Sequence, residues 1–209
     1  MKTAAILLIS LFLLLFASNS FASWNKPEFR LSELYRYDCR DEGHELFITR
    51  ASVILNYANA SGEQLFKIVP FFEARRNIKK SLWERKELGL EIGRDFLSWL
   101  YLGEAVQWCW TDEDYQRYRQ YAKRKYAESE TRLLLSHKLF SIGSRELKGF
   151  VLNEYTYDFN KGRGIRNELA GGFTLPIVKH LEMQINWRHI DRIHFYDSDV
   201  AEGAFTLVF

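Results

Sequence analysis

Residues 201–209 read AEGAFTLVF. Phe205, Leu207 and Phe209 occupy alternate positions, so one side of this segment is apolar to its last residue. A period of two is the pattern of a strand with one apolar and one polar face. The last residues of a soluble domain usually fray into water. An apolar face carried this far needs something apolar beside it. The same period recurs upstream. LEMQINWRHID (181–191) sets Leu181, Met183, Ile185 and Trp187 against Glu182, Gln184, Asn186 and Arg188. ERKELGLEIG (84–93) sets Leu88, Leu90 and Ile92 against Glu87, Gly89 and Glu91. ELFITRASVILNY (45–57) and ESETRLLLSHKL (128–139) alternate in the same way.

Ten such segments follow residue 28: 28–38, 45–57, 65–76, 83–93, 98–110, 129–139, 147–157, 167–175, 181–190 and 199–209. Most exceed the usual globular strand and suit a tilted membrane strand of about 9–11 residues. Two segments are ambiguous. In 98–110, Glu104 falls among Leu100, Leu102, Val106 and Trp108, and in 147–157 neither face is clean. A bulge in either would restore the register. With the first strand running outward, the connections 58–64, 94–97, 140–146 and 176–180 lie on one side and are short. The other side receives 39–44, 77–82, 111–128, 158–166 and 191–198. Short inner turns, longer outer loops and an even strand number are the layout of a bacterial outer-membrane barrel.

The N-terminal end adds a second expectation. Lys2 precedes an apolar run from Ala4 to Ala17 broken only by Ser10, and Ser20-Phe21-Ala22 supplies small residues for cleavage. That is a secretory signal peptide over 1–22. The run of 14 residues is shorter than the roughly 20 a helix needs to span a bilayer. Acids and bases nearly balance, 27 against 29, so no nucleic-acid footprint appears. Cys39 and Cys109 are too few for a disulfide scaffold; export makes a single bridge between them chemically possible, and the other reading is two free thiols near strand ends.

A soluble barrel also alternates, with its apolar face inward. Three features favour the membrane. Charges of both signs share the polar faces: Arg50, Lys67, Glu73, Arg85, Glu87, Glu91, Arg132, Lys138, Glu168, Glu182, Arg188 and Glu202. These pair across a narrow lumen. Aromatics sit near strand ends, as with Phe47 and Tyr57, Phe66 and Phe72, and Trp187 and Phe209, in the manner of interfacial girdles. The third feature is the terminal strand. It resembles the C-terminal assembly signal of outer-membrane barrels: a polar residue, glycine two positions on, then hydrophobic or aromatic residues at positions six and eight. Glu202, Ala204, Leu207 and Phe209 occupy those positions, with Ala204 in place of the glycine. The resemblance implies recognition by the barrel-assembly machinery through Phe209.

Residues 128–209 also resemble a family of small bacterial outer-membrane barrels of unknown function. The resemblance rests on ESETRLLLSHKL, on LNEYTYDFNKGRGIRNELAGGFTLPIVKHLEMQINWRHI (152–190) and on DSDVAEGAFTLVF (197–209). Glu130, Arg132, Asn153, Glu154, Arg166, Asn167, Gly171 and Gly172 match that family in style. It implies a barrel and no reaction.

Chemistry has few candidates. His189 and Asp191 share the outward face near the outer rim, where lipid-modifying barrels work. A hydrolase needs a serine within reach of the histidine. Ser198 has the wrong parity and Ser129 lies three strands away. Asp112, Asp114, Asp158, Asp197 and Asp199 qualify for a protease by location only. His44, His137, His180, His189 and His194 fall on both sides of the membrane and complete no metal set. In the long loop 111–128, Tyr115, Tyr118 and Tyr121 recur among basic residues, either as a solvated loop or as a contact to lipopolysaccharide.

The expectation is therefore all-β: residues 1–22 a signal peptide and 23–209 a closed antiparallel transmembrane barrel of about ten strands, with eight or twelve as alternatives. Its place is the outer membrane of a Gram-negative-type bacterium, reached through the Sec pathway. Its role is a structural barrel or narrow pore, not an enzyme, with no cofactor, no metal and no catalytic residues. Its partners are outer-membrane lipid, lipopolysaccharide and the assembly machinery. Two alternatives stay open: a lipid-modifying hydrolase around His189, and an exported soluble ligand-binding barrel.

Overall fold

Alternating apolar and polar residues over long runs leave no helical face, and in the computed structural model every regular element among the described residues is a strand. It describes residues 23–40, 45–111, 125–193 and 197–209. The elements are β1 (Ser23–Trp24), β2 (Glu28–Asp38), β3 (Glu45–Ala58), β4 (Gln64–Asn77), β5 (Leu82–Leu97) and β6 (Leu100–Thr111). Then come β7 (Lys125–Ile142), β8 (Arg145–Asp158), β9 (Arg163–Val178), β10 (Leu181–Arg192) and β11 (Ser198–Val208). Each strand from β2 to β11 pairs antiparallel with its neighbours in sequence, and β11 pairs with β2. The sheet is thus a closed ring of ten strands. Closure leaves no open sheet edge, which is the condition for a sheet in lipid.

The terminal strand closes the ring. Its register against β2 runs from Val200 opposite Asp38 to Val208 opposite Arg30. Phe209 extends it, with reciprocal backbone hydrogen bonds to Phe29 of 2.9 and 3.1 Å. The side chain of Phe209 points outward and stacks on His180 at 6.4 Å. β1 was not expected. It pairs with Tyr57 and Ala58 of β3 as an in-line continuation of β2, interrupted by Asn25-Lys26-Pro27. Trp24 lies 5.0 Å from the Tyr57 ring, which buries that tyrosine instead of leaving it on an exposed girdle.

Ser23, Phe209 and the turns 59–63, 98–99, 143–144 and 179–180 share one end of the ring. Three of these are two-residue hairpin turns. Gly143 begins one with φ +63°, a conformation glycine adopts freely. The opposite end carries the connections 39–44, 78–81, 112–124, 159–162 and 193–197. The expected division of the connections between the two ends is therefore the observed one.

The two ambiguous strands resolve without the expected bulges. The pairing of β6 runs unbroken from Leu100 to Trp110 along β7, so Glu104 faces outward beside Leu102 and Val106. The irregularity lies in β5, between Asp95 and Leu97. In β8, Phe150, Leu152, Glu154 and Thr156 face inward, whereas Val151, Asn153 and Tyr155 face outward. Extra residues sit in its neighbours, Leu139 on β7 and Ile165 on β9. A bulge on the partner strand repairs the ladder without changing the parity of β8.

Candidate functional site

Parity sends one residue in two into the lumen, and the ring is turned inside out relative to a soluble barrel. Glu87 and Glu202 are 1% and 3% exposed, while their neighbours Leu88 and Phe205 are 59% and 55% exposed. Phe29, Leu31, Leu90, Val106, Trp108, Leu169, Phe173, Ile185 and Trp187 continue the outward apolar band. A soluble barrel would reverse this distribution.

The lumen's charges pair into one alternating chain. Arg36 on β2 binds Glu202 on β11 at 2.5 Å. Arg188 on β10 reaches three carboxylates: Glu202 at 3.1 Å, Glu168 on β9 at 2.7 Å, and Glu154 on β8. Arg132 on β7 takes the other oxygen of Glu154 at 2.7 Å, Glu130 at 2.9 Å and Glu91 on β5 at 2.9 Å. Arg50 on β3 stands between Glu91 and Glu73 at 3.5 and 3.6 Å and stacks on the Phe71 ring at 3.9 Å. Arg75 on β4 binds Glu73 at 2.8 Å and Glu87 at 3.0 Å. Arg85 then links Glu87 at 2.6 Å to Glu128 on β7 at 3.0 Å. β6 contributes Tyr101, whose hydroxyl donates to Glu91 at 2.5 Å, and Gln107. The Gln107 amide fits with its nitrogen donating to Glu87 at 3.2 Å and its oxygen accepting from Arg85 at 3.1 Å.

All ten strands of the ring thus feed one ionic web. Pairs such as Arg132–Glu91 and Arg188–Glu154 join strands that are not neighbours in the sheet. Glycine makes room for it at one point: Gly89 lies under Phe71, where a Cβ would stand 2.2 Å from the ring. Buried charge is tolerated only when paired and hydrogen-bonded. A web of this kind ties the walls together across the lumen and occupies it with guanidinium and carboxylate groups.

Toward the turn end the lining changes. Leu34, Ile54, Val69, Leu134, Phe150 and Leu152 face inward among Ser32, Ser52, Thr174 and Thr206. Together with the charged groups they line a cavity of about 460 Å³. The apolar share of this half was not among the expectations, which named only charges for the lumen.

Most expected lumen charges sit in the web. Lys67 pairs with Asp95 at 3.0 Å at its margin. Lys138 does not reach across the lumen; past the bulge on β7 it pairs with Glu146 at 2.8 Å over the hairpin, and both are exposed. Arg36, Arg75, Tyr101, Gln107, Glu128, Glu130 and Glu154 join the web without having been among the expected lumen charges. Parity within their own strands turns all of them inward except Glu154, whose strand shows no clean face in sequence.

The enzymatic candidates do not converge. His189 Nδ1 faces Asp199 Oδ1 at 2.8 Å on the outward side, and Arg40 binds Asp199 at 2.6 Å. Its acidic partner is therefore the residue opposite on β11, not Asp191. Ser198 faces inward and is bonded by Arg192, and Ser129 is on β7, three strands from β10. Asp158 is buried inside, apart from Asp197 and Asp199. Among the described residues no group of three or more His, Cys, Asp or Glu could hold a metal. Cys39 and Cys109 are free thiols. His44, His194, Asp112, Asp114, Tyr115, Tyr118 and Tyr121 lie outside the described residues.

A closed ring, an apolar outer band and an ionic web concentrated in the lumen define a transmembrane β-barrel of the bacterial outer-membrane type. No sequence-family model matches the chain, and no curated protein does. Among solved structures it is similar to the NanC porin at TM-score 0.43 and 12% identity, over 86% of this chain and 98% of that one. It is similar to the β domain of the Bordetella autotransporter BrkA at TM-score 0.39 and 10% identity, over 87% and 98%. The transport unit of the Escherichia coli autotransporter AIDA-I aligns at TM-score 0.39 and 10% identity, over 91% and 90%. The assignment here rests on the barrel's own geometry.

Proposed function

We propose that the chain is a resident barrel of the bacterial outer membrane, acting as a structural barrel or a narrow pore and not as an enzyme. The observation that carries this reading is Arg188, which joins carboxylates on β8, β9 and β11. Its web continues across the lumen through Arg132 and Glu91 to Arg50. A general porin keeps a water-filled channel, whereas ten strands leave a lumen that long charged side chains fill. Residues 1–22 act as the cleaved Sec signal, and the assembly machinery reads the strand ending at Phe209. Kinship with the uncharacterised barrel family rests on the second-half residues quoted above.

The test is single-channel recording of the refolded mature chain in a planar bilayer. Small discrete steps identify a narrow pore, whose ion preference the lumenal Glu and Arg rows set. Silence from protein shown to be folded identifies a structural barrel. Large porin-like steps would overturn the reading.

A further inference from the structure

Below the web, toward the turn end, the lumen has two apolar walls. Leu34, Ile54 and Val69 form one on β2–β4, and Leu134, Phe150 and Leu152 form the other on β7–β8. β8 stands five strands from β3 in either direction around the ring, so the walls face each other. Register makes each wall continuous, with Leu34 opposite Ile48 and Leu134 opposite Leu152. Hydroxyls run between them. Thr206 lies opposite Ser32 and is hydrogen-bonded to it at 2.9 Å, and Ser32 lies opposite Arg50. The cavity of about 460 Å³ has the size of a small-molecule site, roughly 300–1,000 Å³ with apolar walls and a few polar groups. The web caps it toward the loop end. At the turn end its margin is open, with the side chains of Arg30 and Asp95 36% and 42% exposed.

Arg50 reaches this space with the most loosely held guanidinium of the web. Gly89 lets the Phe71 ring approach the backbone of β5, and the guanidinium rests on that ring at 3.9 Å. Stacking occupies the flat face of a guanidinium and leaves its N–H edge available. The nearest carboxylate oxygens, on Glu91 and Glu73, are 3.5 and 3.6 Å away. A charge-assisted hydrogen bond is about 2.7–2.9 Å long. Every ion pair given above for Arg36, Arg75, Arg85, Arg132 and Arg188 is shorter than these two. Glu73 takes its short bond from Arg75 at 2.8 Å, and Glu91 takes its own from Arg132 at 2.9 Å and from the Tyr101 hydroxyl. Both acids are thus held without Arg50. An anion in the cavity gives the guanidinium the short bonds that its neighbours do not.

We infer that the turn-end lumen binds a small organic carboxylate with an apolar body, its carboxylate on Arg50 and its alkyl or aryl part between the two walls. A carboxylate meets the guanidinium fork with two parallel hydrogen bonds. Ser52, two residues along β3 on the same inward face, adds a hydroxyl to that end of the lining. The inference rests on the barrel reading, because only a closed ring sets β3 and β8 face to face. The ligand enters from the turn end, since the web occupies the other.

The test uses the full mature chain in phosphatidylcholine nanodiscs, titrated with octanoate and with phenylacetate and followed by calorimetry against empty nanodiscs. A heat-dependent gel shift, and insertion into phospholipid vesicles, check separately that each variant forms a barrel. Saturable one-to-one binding of at least one acid is expected, and the stronger of the two assigns the alkyl or the aryl class. The matching amides, which lack the charge, and acetate, which lacks the apolar body, are expected to bind at least tenfold more weakly. Arg50→Gln is expected to lower affinity at least tenfold, whereas Lys138→Ala, on an exposed hairpin at the same end, keeps it. Equal binding by the amides or by Arg50→Gln would overturn the inference while leaving the barrel reading intact. So would the absence of saturable binding to wild type that has formed a barrel. Failure of wild type to insert would remove the barrel reading itself.

Discussion

Glu104 on β6 points out of the barrel and accepts a hydrogen bond from Thr131 Oγ1, directly opposite on β7, at 2.5 Å. Glu33 on β2 repeats the arrangement with Thr49 on β3 at 2.9 Å. Both carboxylates stand in the apolar band. A lipid-facing acid costs stability in a depth-dependent way, and the threonine hydroxyl offsets part of that cost. Glu104→Leu is expected to stabilise the barrel by about 1 kcal/mol, and more with Thr131→Val, which removes the stranded hydroxyl. Reversible urea unfolding in phospholipid vesicles checks this. Loss of stability in Glu104→Leu would show that the carboxylate meets a cation or water there.

Arg188 neutralises three carboxylates at once, so its removal leaves buried charge uncompensated. Arg188→Ala is expected to cost about 3–5 kcal/mol, the penalty for breaking a buried ionic pair. Arg188→Lys keeps the charge but not the fork, and loses less. Unfolding midpoints rank the three proteins. A midpoint for Arg188→Ala close to wild type would mean that water already screens the web.

Among the described glycines, Gly172 lies closest to the backbone of a neighbouring strand. A Cβ there would lie 2.3 Å from the Ile185 carbonyl oxygen on β10. Because the obstacle is backbone, relief requires β9 and β10 to separate. Gly172→Ala is expected to cost about 1–3 kcal/mol, the range for overpacking. Gly203→Ala, with nothing within 4 Å of the added atom, serves as the neutral comparison. The folded fraction on an unboiled gel reads the difference.

The two cysteines report sidedness. Cys39 is exposed just beyond β2 at the loop end, and Cys109 is buried in the lumen wall. A membrane-impermeant maleimide applied to intact cells is expected to label Cys39 and spare Cys109. Labelling of Cys39 only after the outer membrane is breached would invert the topology.

Deleting Phe209 removes the reciprocal backbone bonds to Phe29 that extend the closing seam. The terminal-strand resemblance assigns it a second task in assembly. Truncation is expected to lower the amount of inserted barrel in cells several-fold while leaving refolding in detergent largely intact. An equal loss in both settings would point to seam stability alone.

Strand number, sidedness and facing were legible in the chain because period two and strand length are local properties. Leu88 beside Glu87, or Phe205 three positions after Glu202, identifies each face without knowledge of any partner. The ambiguous strands show where local reading stops. Glu104 and Asn153 break the pattern of their own strands, and only the register with β7 and β9 shows that they face outward and are held by hydrogen bonds. Ionic partners were out of reach for the same reason. Arg132 and Glu91 are 41 residues apart and belong to non-adjacent strands. Their meeting depends on the curvature of the closed ring. The sequence by itself therefore determined a lipid-facing barrel with charge inside. Closure and bulges decided which charges meet, because those contacts arise from long-range geometry that no local spacing encodes.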